Sequence, residues 1–175
     1  MAVSLRGFVY TLALSATALN ACSPTFNWRE LRLEGAPLVA LMPCKPETAT
    51  RSVPMLGQPT ELHMHSCETG GLTFAVAWAK LGDATKAGDA LAQWQQASLA
   101  SVRVAPDDAI EVPLTVARSD EARGAKAQGS DHQGKALNTQ AVYFAQGDWV
   151  YQAAVYGAKL PDQATTAFFD GLTLP

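Results

Sequence analysis

Seven consecutive residues, Glu61-Leu62-His63-Met64-His65-Ser66-Cys67, concentrate the side-chain types that hold metal ions. Side chains on a strand alternate between faces, so Glu61, His63, His65 and Cys67 share one face and Leu62, Met64 and Ser66 the other. Two imidazoles at i and i+2 chelate a borderline-soft ion such as zinc when a thiolate or carboxylate completes the set. Cys67 cannot serve a metal and a disulfide together, and an alternating polar face is also the usual look of a solvated sheet surface. The expectation is a half-exposed strand, with His63 and His65 at the surface and Leu62 and Met64 toward the core. A metal site on His63 and His65 is the alternative. Ser130-Asp131-His132 has the residue types of a hydrolytic triad. Adjacent side chains on one loop do not make the nucleophile–base–orienter geometry, which needs groups held on different elements.

Other catalytic signals are sparse. There is no G-x-S-x-G elbow, and no phosphate loop or dinucleotide fingerprint. Asp107-Asp108 and Asp120-Glu121 are neighbours in polar stretches and read as solvated carboxylates. Tyr143, Trp149, Tyr151 and Tyr156 could line a ligand groove near the C-terminus, although cross-strand aromatic packing explains them as well. No catalytic residue, cofactor or enzymatic activity is expected.

The elements that must position these residues follow from periodicity. Residues 28–33 and 38–42 read as strands, the second stopped by Pro43 and Pro46, which hold extended backbone and cannot occupy a central ladder position. Residues 60–67 and 72–81 are the clearest strands, joined at Gly70-Gly71. In the second of them both faces are largely apolar, so it should be central and covered on both sides. Residues 83–104 repeat Ala87, Leu91, Trp94, Ser98 and Val102 at three-to-four spacing, which predicts the one long helix. Residues 109–117 alternate, with Pro113 marking an edge. Residues 119–133 are small and polar and read as a mobile loop. Residues 135–145 and 148–158 form a hairpin around Gln146-Gly147, and Pro161-Asp162 opens a short helix that offers Phe168, Phe169 and Leu172 to the core. The result is an α+β domain with a mostly antiparallel sheet, one long helix and one short one.

The N-terminus carries a different kind of signal. Arg6 is followed by an uncharged run of apolar and small residues through Ala21. The strongly apolar part is shorter than the ~20 residues that span a bilayer, and the pattern is that of a secretory signal. Two cleavage readings compete. Ala16-Thr17-Ala18 has the small-x-small shape of an ordinary signal peptidase site. Leu19-Asn20-Ala21-Cys22 resembles the bacterial lipobox. That resemblance implies diacylglycerol on the Cys22 sulfur and cleavage before Cys22. It divides the chain into a signal peptide at 1–21, a lipidated tether at 22–27 and a single globular domain at 28–175. Ser23 is not aspartate, which in enteric-type sorting implies the outer membrane with the domain facing the periplasm. A soluble periplasmic protein is the runner-up.

Cysteine arithmetic agrees with the lipobox. The chain has three cysteines, and an odd thiol is a liability in an oxidising compartment. With lipid on Cys22, Cys44 and Cys67 form an even pair, and disulfides persist in the periplasm. The bridge would close a loop of about two dozen residues, worth roughly 3 kcal/mol in the chain-entropy model. Two buried free thiols are the alternative. The net charge is −3, and removing 1–21 takes away only Arg6 among the charged residues. No basic stripe exists, so nucleic acid is not an expected partner.

Three segments also resemble PsbP-like domains. Met42-Pro43-Cys44-Lys45-Pro46 looks like their FPxxP entry, with Met42 in place of phenylalanine and a cysteine inside the motif. Tyr143-Phe144, Gly147, Tyr151 and Gly157 look like their terminal hairpin, and Ala167-Phe168-Phe169-Asp170-Gly171-Leu172 like their closing helix. The resemblance covers residues 38–175. It implies an α/β/α sandwich and an accessory, binding or assembly module of a kind usually without catalytic residues; taken with the lipobox, the expected partner is an envelope protein or other envelope component.

Overall fold

The computed structural model describes residues 25–175. Cys22 and the leader lie outside the described residues. Nine strands and two helices run in the order β1 (Arg29–Arg32), β2 (Val39–Met42), β3 (Glu47–Met55), β4 (Gln58–Thr69), β5 (Leu72–Lys80), α1 (Ala87–Ser101), β6 (Ile110–Val112), β7 (Glu121–Ser130), β8 (Ala136–Gln146), β9 (Trp149–Gly157) and α2 (Asp162–Asp170). Seven strands form one sheet in the order β3-β4-β5-β9-β8-β7-β6, with every pair antiparallel. The fold is α+β, as its periodicities predict.

β5 is central because neither of its faces can meet water. Phe74, Val76 and Trp78 point into the larger core with Phe144, Tyr151, Val155, Phe168 and Met42. Ala79 points into a second core with Leu91, Tyr143, Val150 and Ala154. The α1 side of the sheet is rich in alanine (Ala79, Ala141, Ala145, Ala154), which lets the helix bed close. On the opposite side the β1–β2 pair, α2 and the C-terminal residues make the covering layer. Val39 and Thr173 exchange backbone hydrogen bonds of 2.9 Å, tying the last residues to β2. Each large apolar side chain buried in these layers contributes ~1.5–3 kcal/mol relative to exposure.

The turns follow their glycines. Gly70 and Gly71 both have positive φ, 61° and 73°, as a two-residue hairpin joining Thr69 to Leu72 requires. Gly147 (φ 58°) opens the β8–β9 turn. The β3–β4 turn is less expected: Leu56 adopts φ 51°, a conformation costly for a side-chain-bearing residue. Its amide donates to Gln93 Oε1 at 2.7 Å, so α1 holds the turn.

Several sequence expectations need correction. Residues 47–55, unassigned by periodicity, are β3; this edge strand is mostly exposed and shows no apolar alternation. Residues 121–130, expected as a mobile loop, are β7, with Ala125 and Ala127 buried. Small residues stand there because neighbouring backbone lies close. A Cβ on Gly124 would come within 2.6 Å of the Val112 carbonyl, and one on Gly129 within 2.0 Å of the Val102 carbonyl. The edge strand expected over 109–117 survives only as Ile110–Val112. The long helix begins as a 3-10 turn at Ala84–Lys86, capped by Asp83 Oδ1 accepting from the Thr85 amide at 3.0 Å. The expected tether is bound to the domain over 25–27: Asn27 N donates to the Pro43 carbonyl at 2.8 Å, and the Phe26 ring sits edge-on to Phe74 at 6.2 Å.

Candidate functional site

β4 carries the histidines, and its two neighbours decide their surroundings. Thr50 on β3 and Trp78 on β5 both stand opposite His63. His63 stacks on the indole of Trp78 with ring centroids 5.3 Å apart and planes at 19°. His65 meets the same indole edge-on at 4.9 Å. Trp78 is only 2% exposed and belongs to the larger core. The histidine face is therefore the face that leads into Cys67 and the main core, and both imidazoles are half-buried. This corrects the expectation that they stand on a solvated surface. Leu62 does pack on the α1-side core, as expected, but Met64 is no more than half-buried. Both faces of β4 are partly covered.

Both ring nitrogens of His63 are engaged. Nε2 lies 2.9 Å from Glu61 Oε1, and Nδ1 lies 3.1 Å from Thr50 Oγ1. The order carboxylate–imidazole–hydroxyl is that of an activated nucleophile. Such a hydroxyl also needs a substrate cleft and oxyanion donors. Glu61 and Thr50 are exposed on the outer strand pair, and the grooves described below include none of these three side chains. His65 is in a different state. Its Nδ1 is buried without a hydrogen-bond partner. Burial pushes its pKa below the ordinary imidazole value; the Glu34 carboxylate opposes this shift and His63 adds to it. Among the described residues, no group of three or more His, Cys, Asp or Glu side chains converges as a metal set.

Cys67 is bonded to Cys44, with 5.9 Å between the two Cα atoms. The bridge joins the segment leaving β2 to β4, and so clamps the covering layer onto the sheet. A shallow groove of about 360 Å³ lies beside it, lined by Lys45, Glu47, Ser66 and Glu68.

The four C-terminal aromatics do not form a groove. Trp149 and Tyr151 pack in the α2-side core, whereas Tyr143 and Tyr156 pack on the α1 side. Strand alternation separates 151 from 156 on β9, and the pairing of Tyr143 with Gln152 puts Tyr143 with the even-numbered set. Under α1, Gln152 Nε2 donates to Ser98 Oγ at 2.9 Å and to Tyr143 OH at 3.2 Å. Burial raises the pKa of Tyr143, Tyr151 and Tyr156, so all three stay neutral phenols at any ordinary pH. The Tyr151 hydroxyl is buried and unpartnered.

Ser130 ends β7, and Asp131-His132 opens the β7–β8 turn. Asp131 Oδ1 accepts from the amides of Gln133 and Lys135 at 2.9 Å each, and the amide bond from Lys135 is the main reason its carboxyl pKa is lowered. The carboxylate thus orders the β7–β8 connection and is not turned to a histidine. Asp120 does similar work: its Oδ2 accepts from the Gly147 amide at 2.7 Å. Glu121 is hydrogen-bonded to Arg123.

The larger concavities lie elsewhere. One of about 730 Å³ runs over β7 and β8 between Ile110 and the Ala158–Leu160 link, with Lys126 and Lys159 in its walls. Another of about 590 Å³ lies between the β1–β2 connection, Arg118 and the C-terminal residues. No motif in the sequence marks the first groove, because Asp108, Lys126 and Lys159 come together only through strand pairing.

No family model matches the chain. No curated protein matches it significantly. Among solved structures it is similar to a crystal structure from Bacteroides thetaiotaomicron, with 14% identity and a TM-score of 0.49, over 83% of this chain and 48% of that one. The chain spans about half the length of that protein.

Proposed function

We propose that the protein is an envelope lipoprotein, anchored through acylated Cys22, whose domain faces the periplasm of the outer membrane and serves as a non-enzymatic binding or assembly module. The observation that carries this reading is the Cys44–Cys67 bridge. It consumes the even pair of thiols and leaves Cys22, at the end of Leu19-Asn20-Ala21-Cys22, as the one cysteine without a disulfide role. A disulfide belongs to an exported chain, and the leader supplies the export signal. Among the described residues no helix is long and apolar enough to cross a membrane.

The same proposal reads the domain as PsbP-like. Its support is a seven-stranded sheet covered by α1 on one face and by α2 with the β1–β2 pair on the other, with Pro43-Cys44-Lys45-Pro46 at the exit of β2 and Phe168-Phe169 closing the core. The binding-module reading rests on the state of the polar side chains: the carboxylates at Asp120 and Asp131 are spent on turn amides, and none of the grooves described above includes the array at His63.

Growth with radiolabelled palmitate tests the anchor. Wild type should take up label and pellet with membranes, and Cys22→Ala should lose the label and either enter the soluble fraction or remain an unprocessed precursor. Absence of label in wild type would refute the lipoprotein reading.

A further inference from the structure

The described chain starts at a fixed point on the domain. The Thr69 hydroxyl donates to the Thr25 carbonyl. A Cβ at Gly70 would lie 3.0 Å from the Thr25 side chain and 3.1 Å from the Phe26 ring, so residues 25 and 26 press against the β4–β5 turn. Cys22 is three residues before Thr25. Three residues reach no more than about 10 Å even when fully extended. An acylated Cys22 therefore holds the β4–β5 end of the sheet against the bilayer surface.

The register says what else lies at that end. Leu72 pairs with Gly157, Gly157 with Asn138, and Asn138 with Gln128. The Gly70–Gly71 turn, the Ala158–Leu160 link and the adjoining parts of β8 and β7 thus share one end of the sheet. With strands ~4.8 Å apart, the groove over β7 and β8 begins roughly 10–15 Å from the exit of the tether. It also carries an unusual lining. Ile110 is 68% exposed, the large apolar side chain that stands out among the described residues. Lys126 and Lys159 provide two ammonium groups and Asp108 one carboxylate, and none of the three is in an ion pair among the described residues.

We propose that this groove is the domain's membrane-contact site and seats a phospholipid headgroup of the membrane to which Cys22 is anchored. The two ammonium groups meet the headgroup phosphate, and Asp108 meets the amine of a zwitterionic headgroup. Ile110 turns toward the acyl boundary. Apolar and basic groups combined at a surface bind the interface by buried area together with attraction to phosphate. The domain then lies down on its tethered end. The opposite end, with the Gly147–Asp148 turn, Lys80 and the Leu56–Gly57 turn, points away from the membrane toward any partner. The inference rests on the lipoprotein reading above.

The test uses full processed protein with its anchor, reconstituted in vesicles of phosphatidylethanolamine and phosphatidylglycerol. Lysines are labelled with a water-soluble amine reagent and read by peptide mass spectrometry, each normalised to the same protein unfolded. Lys126 and Lys159 should be labelled several-fold less than Lys80 and Lys86 at the far end. A Lys126→Glu, Lys159→Glu variant, with its anchor intact, should lose the protection of Lys135 on the neighbouring β7–β8 turn. Palmitate is measured on the same preparation. Equal labelling at the two ends of an acylated protein overturns this inference and leaves the lipoprotein reading standing. A protein without acyl chain overturns both.

Discussion

His63 lies flat on Trp78, 5.3 Å between ring centroids, while His65 approaches the edge of the same indole. One tryptophan thus organises both imidazoles. They form a lid over the margin of the main core, and their chemistry is set by that packing. Aromatic pairs of this kind contribute ~0.5–1.5 kcal/mol beyond their buried area.

The double variant His63→Ala, His65→Ala should fold and localise normally, but Trp78 loses its cover. Its fluorescence should shift to the red, with stability reduced by ~1–3 kcal/mol for the two lost ring contacts. One equivalent of zinc should leave the wild-type melting temperature unchanged. Stoichiometric zinc in native protein, lost in the double variant, would reverse this view of the pair.

His65 makes stability depend on pH in a defined direction. Burial holds its folded pKa below the unfolded value near 6.5, so the folded protein binds the proton less well than the unfolded chain. Its contribution is complete above that unfolded value and is lost as pH falls through the folded one. Urea melts at pH 7.5 and 5.5 should show a smaller loss on acidification for His65→Phe than for wild type. Equal losses in the two proteins would remove His65 from the account.

Loss of the Cys44–Cys67 bridge should be costly because it releases the covering layer from β4. Cys44→Ser is expected to lower stability by ~2–5 kcal/mol in denaturant melts under non-reducing conditions. Peptide mapping without reduction should recover the two cysteines in one linked peptide. Free alkylation of both thiols in protein taken directly from cells would contradict the bridge.

Two glycines should respond oppositely to alanine. At Gly129 the new methyl would collide with the Val102 backbone, which cannot step aside, and a loss of ~1–3 kcal/mol or more is expected. At Gly88 the obstacle, at 2.9 Å, is the far end of the Glu121 side chain, which can swing away. There the helix gains up to ~1 kcal/mol in propensity, and the net change should be near zero or favourable. Thermal melts of the two variants decide it; similar destabilisation in both would mean that the Glu121 side chain does not swing away from α1.

Much of the fold was legible where local chemistry and packing agree. Gly70-Gly71 supplies the two positive φ values of a tight hairpin, and the β4–β5 pair formed around it. The two apolar faces of 72–80 announced a central strand, because only a strand covered on both sides can carry Trp78 and Ala79 side by side in sequence. Phe168 and Phe169 announced the closing helix. β3 stayed hidden because Glu47–Met55 pairs with β4 alone and is mostly exposed, and an edge strand open to water has no apolar pattern to show. β7 was hidden for the opposite reason: it is so closely approached by Val102 and Val112 that glycine and alanine replace the larger residues of an ordinary strand.

The candidate site divides the same way. Sequence alone determined which side chains share a face, since a strand has a period of two: His63 with His65 and Cys67, Trp149 with Tyr151. It set the two turns and predicted the pairing of Cys44 with Cys67, which the structure shows. Only the tertiary structure decided what covers each face. It turned the histidine face onto Trp78, split the four C-terminal aromatics between two cores, and brought Ile110, Lys126 and Lys159 to one groove near the exit of Thr25. The physical reason is that side-chain period is a local property of the backbone, whereas cover comes from segments distant in the chain, whose arrival is set by strand order and by the close approach that small residues permit.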